Sequence, residues 1–165
     1  MDSYKILLFL INVLTVINAY LCGKLIFKDK TYGIMLSMFY TLMPYRLVCL
    51  YLRAAVGEVL AMAFFPLLVA GIVLLLQDEV KENRKCICSM LIISVTGIMQ
   101  SHILSCIMCL IFGILAMCIC YKKFFHKERI ICIISSIIIF FGLNAWTIVP
   151  FLAGRNLDLM VNNYQ

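Results

Sequence analysis

The sequence predicts an all-α integral membrane protein, a polytopic bundle of about six transmembrane helices in one domain spanning residues 1–165. Three observations lead there. First, 65% of the 165 residues are hydrophobic and 13% are charged, about half the charged share of a soluble domain. A soluble fold of this size must wet most of its surface and could not hide that much apolar area. Second, the apolar residues come in runs approaching the roughly 20 residues that cross about 30 Å of hydrocarbon. Third, the net charge of +6 is gathered into short segments between those runs, the pattern of basic loops at a membrane surface.

Six runs follow in order. Residues 6–23 form the first, interrupted only by Asn12, Thr15 and Asn18. Residues 31–43 are apolar but short, and Pro44 ends them because it lacks an N–H and restricts Met43. Residues 59–76 carry no charge, and Pro66 inside them predicts a kink. Residues 86–99 are again short. Residues 103–121 and 130–152 are long enough to span, and Trp146 suits an interfacial position. A straight helix from Arg46 to Leu76 would measure roughly 46 Å, too long for the hydrocarbon, so a break is expected near Gly57. With that break no Arg53–Glu58 ion pair is assumed.

The basic residues alternate in side. Lys24, Lys28, Lys30, Lys81, Arg84, Lys85, Lys122, Lys123, Lys127 and Arg129 lie in alternate loops, whereas Lys5, Arg46, Arg53 and Arg155 lie on the opposite side. The positive-inside pattern then places loops 24–30, 77–85 and 122–129 in the cytoplasm and both termini outside. Nucleic acid is not expected as a partner, since neither a glycine-rich phosphate loop nor aromatic–basic interleaving is present. Membrane lipids are.

The nine cysteines point to packing. Cys49, Cys106, Cys109, Cys118 and Cys132 lie inside apolar runs, where cysteine acts as a small hydrophobe. The pairs Cys86/Cys88, Cys106/Cys109 and Cys118/Cys120 do not supply four convergent ligands, so no metal site is expected.

The outer side would carry the chemistry: Pro44, Tyr45, Arg46, Arg53, Glu58, Gln100, Ser101 and His102, with Arg155 and Asp158 in the tail. Arg46 and Arg53 are seven apart, which puts them on nearly one helical face. Two guanidinium forks on one face suit phosphate oxygens, although both could instead reach lipid phosphates by snorkelling. Glu58 is expected on a different face, with Tyr51; an acid within a membrane segment points to function by default. His102 is a candidate general base or headgroup contact, or simply a residue that opens a helix at the interface. His102 and Cys106 are four apart and could touch. As a nucleophile pair they would need an electropositive, partly exposed thiol, whereas Cys106 sits a turn deep in an apolar helix.

These residues also carry a resemblance. The run Phe39-Tyr40-Thr41-Leu42-Met43-Pro44-Tyr45-Arg46, then Tyr51-x-Arg53-Ala54-x-x-Gly57-Glu58-x-Leu60-Ala61, then Pro66-Leu67, resembles a bacterial multi-pass membrane domain described as 6-pyruvoyl-tetrahydropterin synthase-related. Ser101-His102 and Trp146-x-x-x-Pro150-Phe151-Leu152 fit its pattern. That family is similar to GT-C glycosyltransferases, which use polyprenyl-phosphate-linked sugars at an extracytoplasmic site. The resemblance implies a GT-C-like architecture in a bacterial plasma membrane. Tyr45, Arg46 and Arg53 would bind substrate or phosphate, and Glu58 and His102 are the catalytic candidates. No cofactor is evident; a divalent cation is implied only with an acidic outer loop that the family carries and this chain lacks. The missing loop and missing C-terminal part suggest a fragment that is inactive alone. The alternatives are a non-enzymatic scaffold or transporter subunit, and a membrane peptidase using His102 and Cys106.

Overall fold

The computed structural model describes residues 2–77, 80–121 and 126–154, and these are helical with short turns. In chain order the helices are α1 (Asp2–Phe27), α2 (Lys30–Thr41), α3 (Pro44–Leu47), α4 (Val56–Leu76), α5 (Val80–Ser101), α6 (Ile103–Ile119) and α7 (Lys127–Gly154). Helix α3 runs directly into a π-helical turn, Val48–Leu52. Arg155 and Asp158, named above among the outer residues, and Lys122 and Lys123 lie outside the described residues.

Three of these helices are long and apolar enough to cross a membrane, over Ser3–Phe27, Val56–Leu76 and Lys127–Phe151. The predicted 31–43 run is realised differently. It forms α2, which stops at Thr41 and is followed by Pro44–Leu52 at a bend of 48°. Pro44 occupies the first turn of α3, where its missing N–H costs nothing, and Met43 before it is extended (ψ 125°), as a residue preceding proline prefers. The bent pair makes up to one further span. The 86–99 run lies within the longer α5, whose 22 residues measure about 33 Å. Its first turns carry Lys81, Glu82, Arg84 and Lys85, so the apolar run alone understates the helix. Helix α6 is apolar but has 17 residues.

The helices pack in the lateral order α2, α1, α4, α5, α7, with α6 against α5. Close approach of α1 and α2 depends on glycine. A Cβ on Gly23 would sit 2.7 Å from the Tyr32 carbonyl oxygen, and one on Gly33 would sit 2.9 Å from the Tyr20 carbonyl oxygen. Small residues let membrane helices approach in this way where no hydrophobic force separates protein from lipid. Two apolar clusters hold the bundle at its two ends. Ile11, Cys49, Leu50 and Val59 form one, and Leu75, Val80, Ile87 and Cys132 form the other.

Polar side chains inside the bundle bond between helices, because lipid offers them no water. Asn18 Nδ2 donates to the Ala63 carbonyl (2.8 Å), tying α1 to α4. Tyr40 Oη donates to the Met62 carbonyl (2.7 Å), tying α2 to α4. Asn144, fully buried, donates to Thr96 Oγ1 (3.1 Å) and accepts from Gln100 Nε2 (2.9 Å), tying α5 to α7. Arg129 Nη2 donates to the Leu76 and Gln77 carbonyls and so caps the C-terminal end of α4. Arg84 pairs with Glu128 at 3.4 Å. The starts of α5 and α7 therefore meet the end of α4, and the basic segments around residues 24–30, 84 and 129 share one end of the bundle.

By contrast α6 buries no residue, and much of α7 is exposed, with Trp146 72% and Phe141 55% accessible. Such surfaces are stable against lipid. Asn144→Ala is expected to lower stability by about 1 kcal/mol, the scale of interhelical polar contacts in membranes, read as a lower thermal midpoint in detergent. An unchanged midpoint would show that apolar contacts alone dock α7.

Candidate functional site

Val48–Leu52 supplies the turn on which the site is built. A π turn spans i to i+5 and inserts roughly one extra residue into the α pattern. Arg53 N–H donates to the Val48 carbonyl (3.0 Å) and Ala55 N–H to the Cys49 carbonyl (2.9 Å). Between them Ala54 adopts φ 49°, a left-handed conformation that costs a non-glycine residue on the order of 1 kcal/mol. The chain thus reverses over Arg53–Ala55 and enters α4 at Val56. The expected break lies two residues ahead of Gly57.

This tight reversal folds Glu58 back onto the turn before it. Arg53 Nη1 donates to Glu58 Oε2 and Nη2 to Oε1, each at 3.0 Å. The sequence reading assumes no such pair; the break is short enough to bring the two residues together. Glu58 Oε2 also accepts from Tyr45 Oη and from Cys49 Sγ, each at 3.5 Å, and Arg53 Nη1 lies 3.6 Å from Cys49 Sγ. Glu58 stands in the first turn of α4, where the positive end of the helix dipole favours a carboxylate. The pair is partly open, with Arg53 49% and Glu58 21% accessible. The Glu58 carboxylate raises Arg53 above its ordinary pKa, chiefly by hydrogen bonding. Tyr51, expected beside Glu58, instead points outward at 72% exposure.

Arg46 does not share a face with Arg53, a correction to the seven-residue spacing argument; the π turn between them breaks the α register on which it rests. Arg46 is 1% exposed. Its Nη2 donates to Asn12 Oδ1 (2.7 Å) and Thr15 Oγ1 (3.0 Å), and its Nη1 to the Thr41 carbonyl (3.2 Å). Its Nε has no partner. All of these acceptors are neutral. Tyr45, the residue before it, belongs to the Glu58 cluster.

A cavity of about 340 Å³ lies between α1, α2, α3 and α4, lined by Tyr40, Met43, Tyr45, Arg46, Phe65 and Pro66 among others. It joins the two arginine environments, since Tyr45 reaches Glu58 from its wall.

His102 comes to the same end of the bundle. A Cβ on Gly57 would lie 2.8 Å from the Ser101 carbonyl oxygen and 4.0 Å from His102 Cδ2, so the α5–α6 turn rests on the residue before Glu58. His102 is the N-cap of α6: its Nδ1 accepts from Ser105 N–H (3.3 Å) and lies 2.9 Å from Ser105 Oγ. This leaves Nε2 as the nitrogen turned away from the cap. Cys106 meets His102 through its backbone N–H and the His102 carbonyl (3.2 Å). The Nδ1 of His102 serves Ser105 rather than the Cys106 thiol. Among the described residues no group of His, Cys, Asp and Glu is arranged to hold a metal ion.

Tyr45, Arg53, Glu58 and His102 are therefore gathered, and Arg46 stands behind them. Cys49, Asn12 and Thr15 are read from the sequence as a packing cysteine and as polar interruptions, not as parts of the site. The spacing Tyr45–Cys49–Arg53 at intervals of four is the signal for Cys49. For Asn12 and Thr15 the signal is polar interruption of an apolar span. Comparison with protein-family models, curated proteins and solved structures finds no match.

Three substitutions test this geometry. Asn12→Leu is expected to cost about 1–3 kcal/mol, because it strips a buried guanidinium of an acceptor. Arg46→Met is expected to cost less, because the groups it leaves without a donor are neutral rather than charged. Thermal midpoints in detergent compare the two, and equal losses would contradict the assignment. Gly57→Ala is expected to cost about 1–3 kcal/mol through overpacking against Ser101. Wild-type stability in that variant would mean that the α4–α5 contact is looser than described.

Proposed function

We propose that the chain is a glycosyltransferase-like membrane protein that handles polyprenyl-phosphate-linked sugars at its extracytoplasmic face. The observation that carries this reading is the cavity. Tyr40, Met43, Tyr45, Arg46 and Pro66, all residues of the block that resembles the GT-C-like family, line one largely apolar space beside the Arg53–Glu58 pair. An apolar space suits a prenyl chain, and a half-exposed guanidinium beside it suits the phosphate. Glu58 holds the Arg53 fork in place through both carboxylate oxygens, and His102 Nε2 is available toward a headgroup. Arg46, buried on neutral acceptors, contributes charge to the cavity wall and anchors α3 to α1. In transfer, movement of Arg53 from Glu58 onto a phosphate would free the carboxylate to orient an acceptor hydroxyl or take its proton.

A non-enzymatic scaffold is the second reading. It is favoured by the mutual satisfaction of Arg53 and Glu58, which leaves neither guanidinium Nη nor carboxylate oxygen without a partner. The test is retention of undecaprenyl phosphate against undecaprenol by the purified chain in nanodiscs, read by native mass spectrometry. Preference for the phosphate of about tenfold or more, lost in Arg53→Ala, is the expected result; a tenfold change corresponds to about 1.4 kcal/mol, the lower end of a charge-assisted hydrogen bond. Equal retention of the two lipids would remove the lipid-phosphate reading. A stability loss in Arg53→Ala under that condition would leave the scaffold.

A further inference from the structure

His102, one of two histidines in the chain, is fixed from both sides at the α5–α6 junction. Its backbone N–H donates to the Ile98 carbonyl (2.9 Å) and closes α5, and its own carbonyl accepts from Cys106 N–H (3.2 Å) and opens α6. We propose that Ser105 fixes the His102 ring as a neutral hydrogen-bond donor at Nε2, and that this N–H meets a phosphate oxygen of the lipid-linked substrate. The phosphate rests on the function proposed above, whereas the state of the ring does not depend on it.

The ring state follows from which atoms can donate. A backbone N–H only donates, and Ser105 N–H is directed at His102 Nδ1 (3.3 Å), so Nδ1 presents its lone pair. Ser105 Oγ lies 2.9 Å from the same nitrogen and, facing an acceptor, is the donor there. A neutral imidazole with an accepting Nδ1 carries its proton on Nε2. The extended backbone of His102 (φ −158°, ψ 108°) sets the ring over the first turn of α6, the place an Asn or Asp side chain takes at an N-cap. The other edge of the ring faces α4. A Cβ on Gly57 would lie 4.0 Å from His102 Cδ2, the carbon bonded to Nε2, and Gly57 belongs to the same first turn of α4 that presents Glu58 to Arg53. The sequence offers His102 as a general base, yet in this state neither ring nitrogen has a free lone pair: that of Nδ1 is engaged, and Nε2 bears hydrogen. Taking a proton from an acceptor hydroxyl therefore falls to Glu58 once Arg53 has turned to phosphate, and His102 is left to donate. Ser105 is a positioning residue that acts through His102.

The experiment uses the full chain in nanodiscs with isotopically labelled histidine, read by nitrogen NMR at mildly alkaline pH, where imidazole is ordinarily neutral; H126Q separates the second histidine. The expected result is a proton-bearing Nε2 and an unprotonated, hydrogen-bonded Nδ1 in the wild type and in S105T, with the Nδ1–H form emerging in S105A. Undecaprenyl phosphate is expected to shift the Nε2 proton signal, and undecaprenol to leave it in place. In H102N the side-chain oxygen takes over the cap while the Nε2 donor is gone. This variant is expected to keep its thermal midpoint and to lose about tenfold in retention of undecaprenyl phosphate, the scale of one hydrogen bond to a charged oxygen. A wild-type ring protonated at Nδ1 would overturn the proposal, as would an S105A spectrum identical with the wild type or full retention of the lipid by H102N. Should H102N fail to fold, the wild type decides: phosphate-selective retention without a shift of the Nε2 proton overturns the contact and leaves the lipid-phosphate function standing. Equal retention of undecaprenyl phosphate and undecaprenol by the wild type removes that function and the phosphate with it, while the protonated nitrogen still decides the role of Ser105.

Discussion

The burial of the Arg46 guanidinium against α1 is the contact around which the candidate-site end of the bundle is arranged. A cation removed from both water and carboxylates is stable only where several dipoles face it. Asn12 and Thr15 from α1 and the Thr41 carbonyl of α2 supply them. Because these acceptors come from two helices, satisfying one charge fixes α3 against α1 and sets the direction in which the chain leaves α2. The bend at Pro44, the π turn and the reversal at Ala54 all lie downstream of that anchor.

From it the candidate site follows with few degrees of freedom. The π turn moves Arg53 out of register with Arg46 and delivers it to the rim. The left-handed Ala54 then returns the chain within three residues, so that Glu58 in the first turn of α4 faces Arg53, Cys49 and Tyr45 at once. Backbone strain and a π turn in one short segment are features that concentrate at functional sites. Gly57 completes the arrangement by allowing the α5–α6 turn to settle against it, which brings His102 alongside.

The two ends of the bundle are chemically unlike. One gathers a carboxylate, a tyrosine, a thiol and two arginines in an arrangement that is largely satisfied within the protein. The other gathers lysines around a cavity, with its arginines engaged by Glu128 and by helix-end carbonyls. This polarity matches the charge alternation read along the chain, since connections between antiparallel helices return to the same end at every second turn. Between the ends, bonds from Asn18, Tyr40 and Asn144 link neighbouring helices in the absence of water, while α6 and much of α7 offer apolar side chains outward.

Helical, membrane-type character was legible from residue composition and the length of apolar runs, because hydrocarbon imposes a length and a polarity that few other settings do. The grouping of basic segments at one end was also legible, as was a helix break ahead of α4. Span boundaries were less so. Helix α5 begins among charges that an apolar count excludes, and the 31–43 run proved to be one arm of a bent pair. Which arginine faces which partner was decided only in three dimensions. Periodicity assumes a uniform 3.6-residue turn, and a single π turn between Arg46 and Arg53 is enough to send one into the bundle and the other to its rim. The same holds for the Arg53–Glu58 pair: a helix break reads in sequence as separation, but whether it parts two side chains or folds them together depends on the dihedral angles of one residue, Ala54.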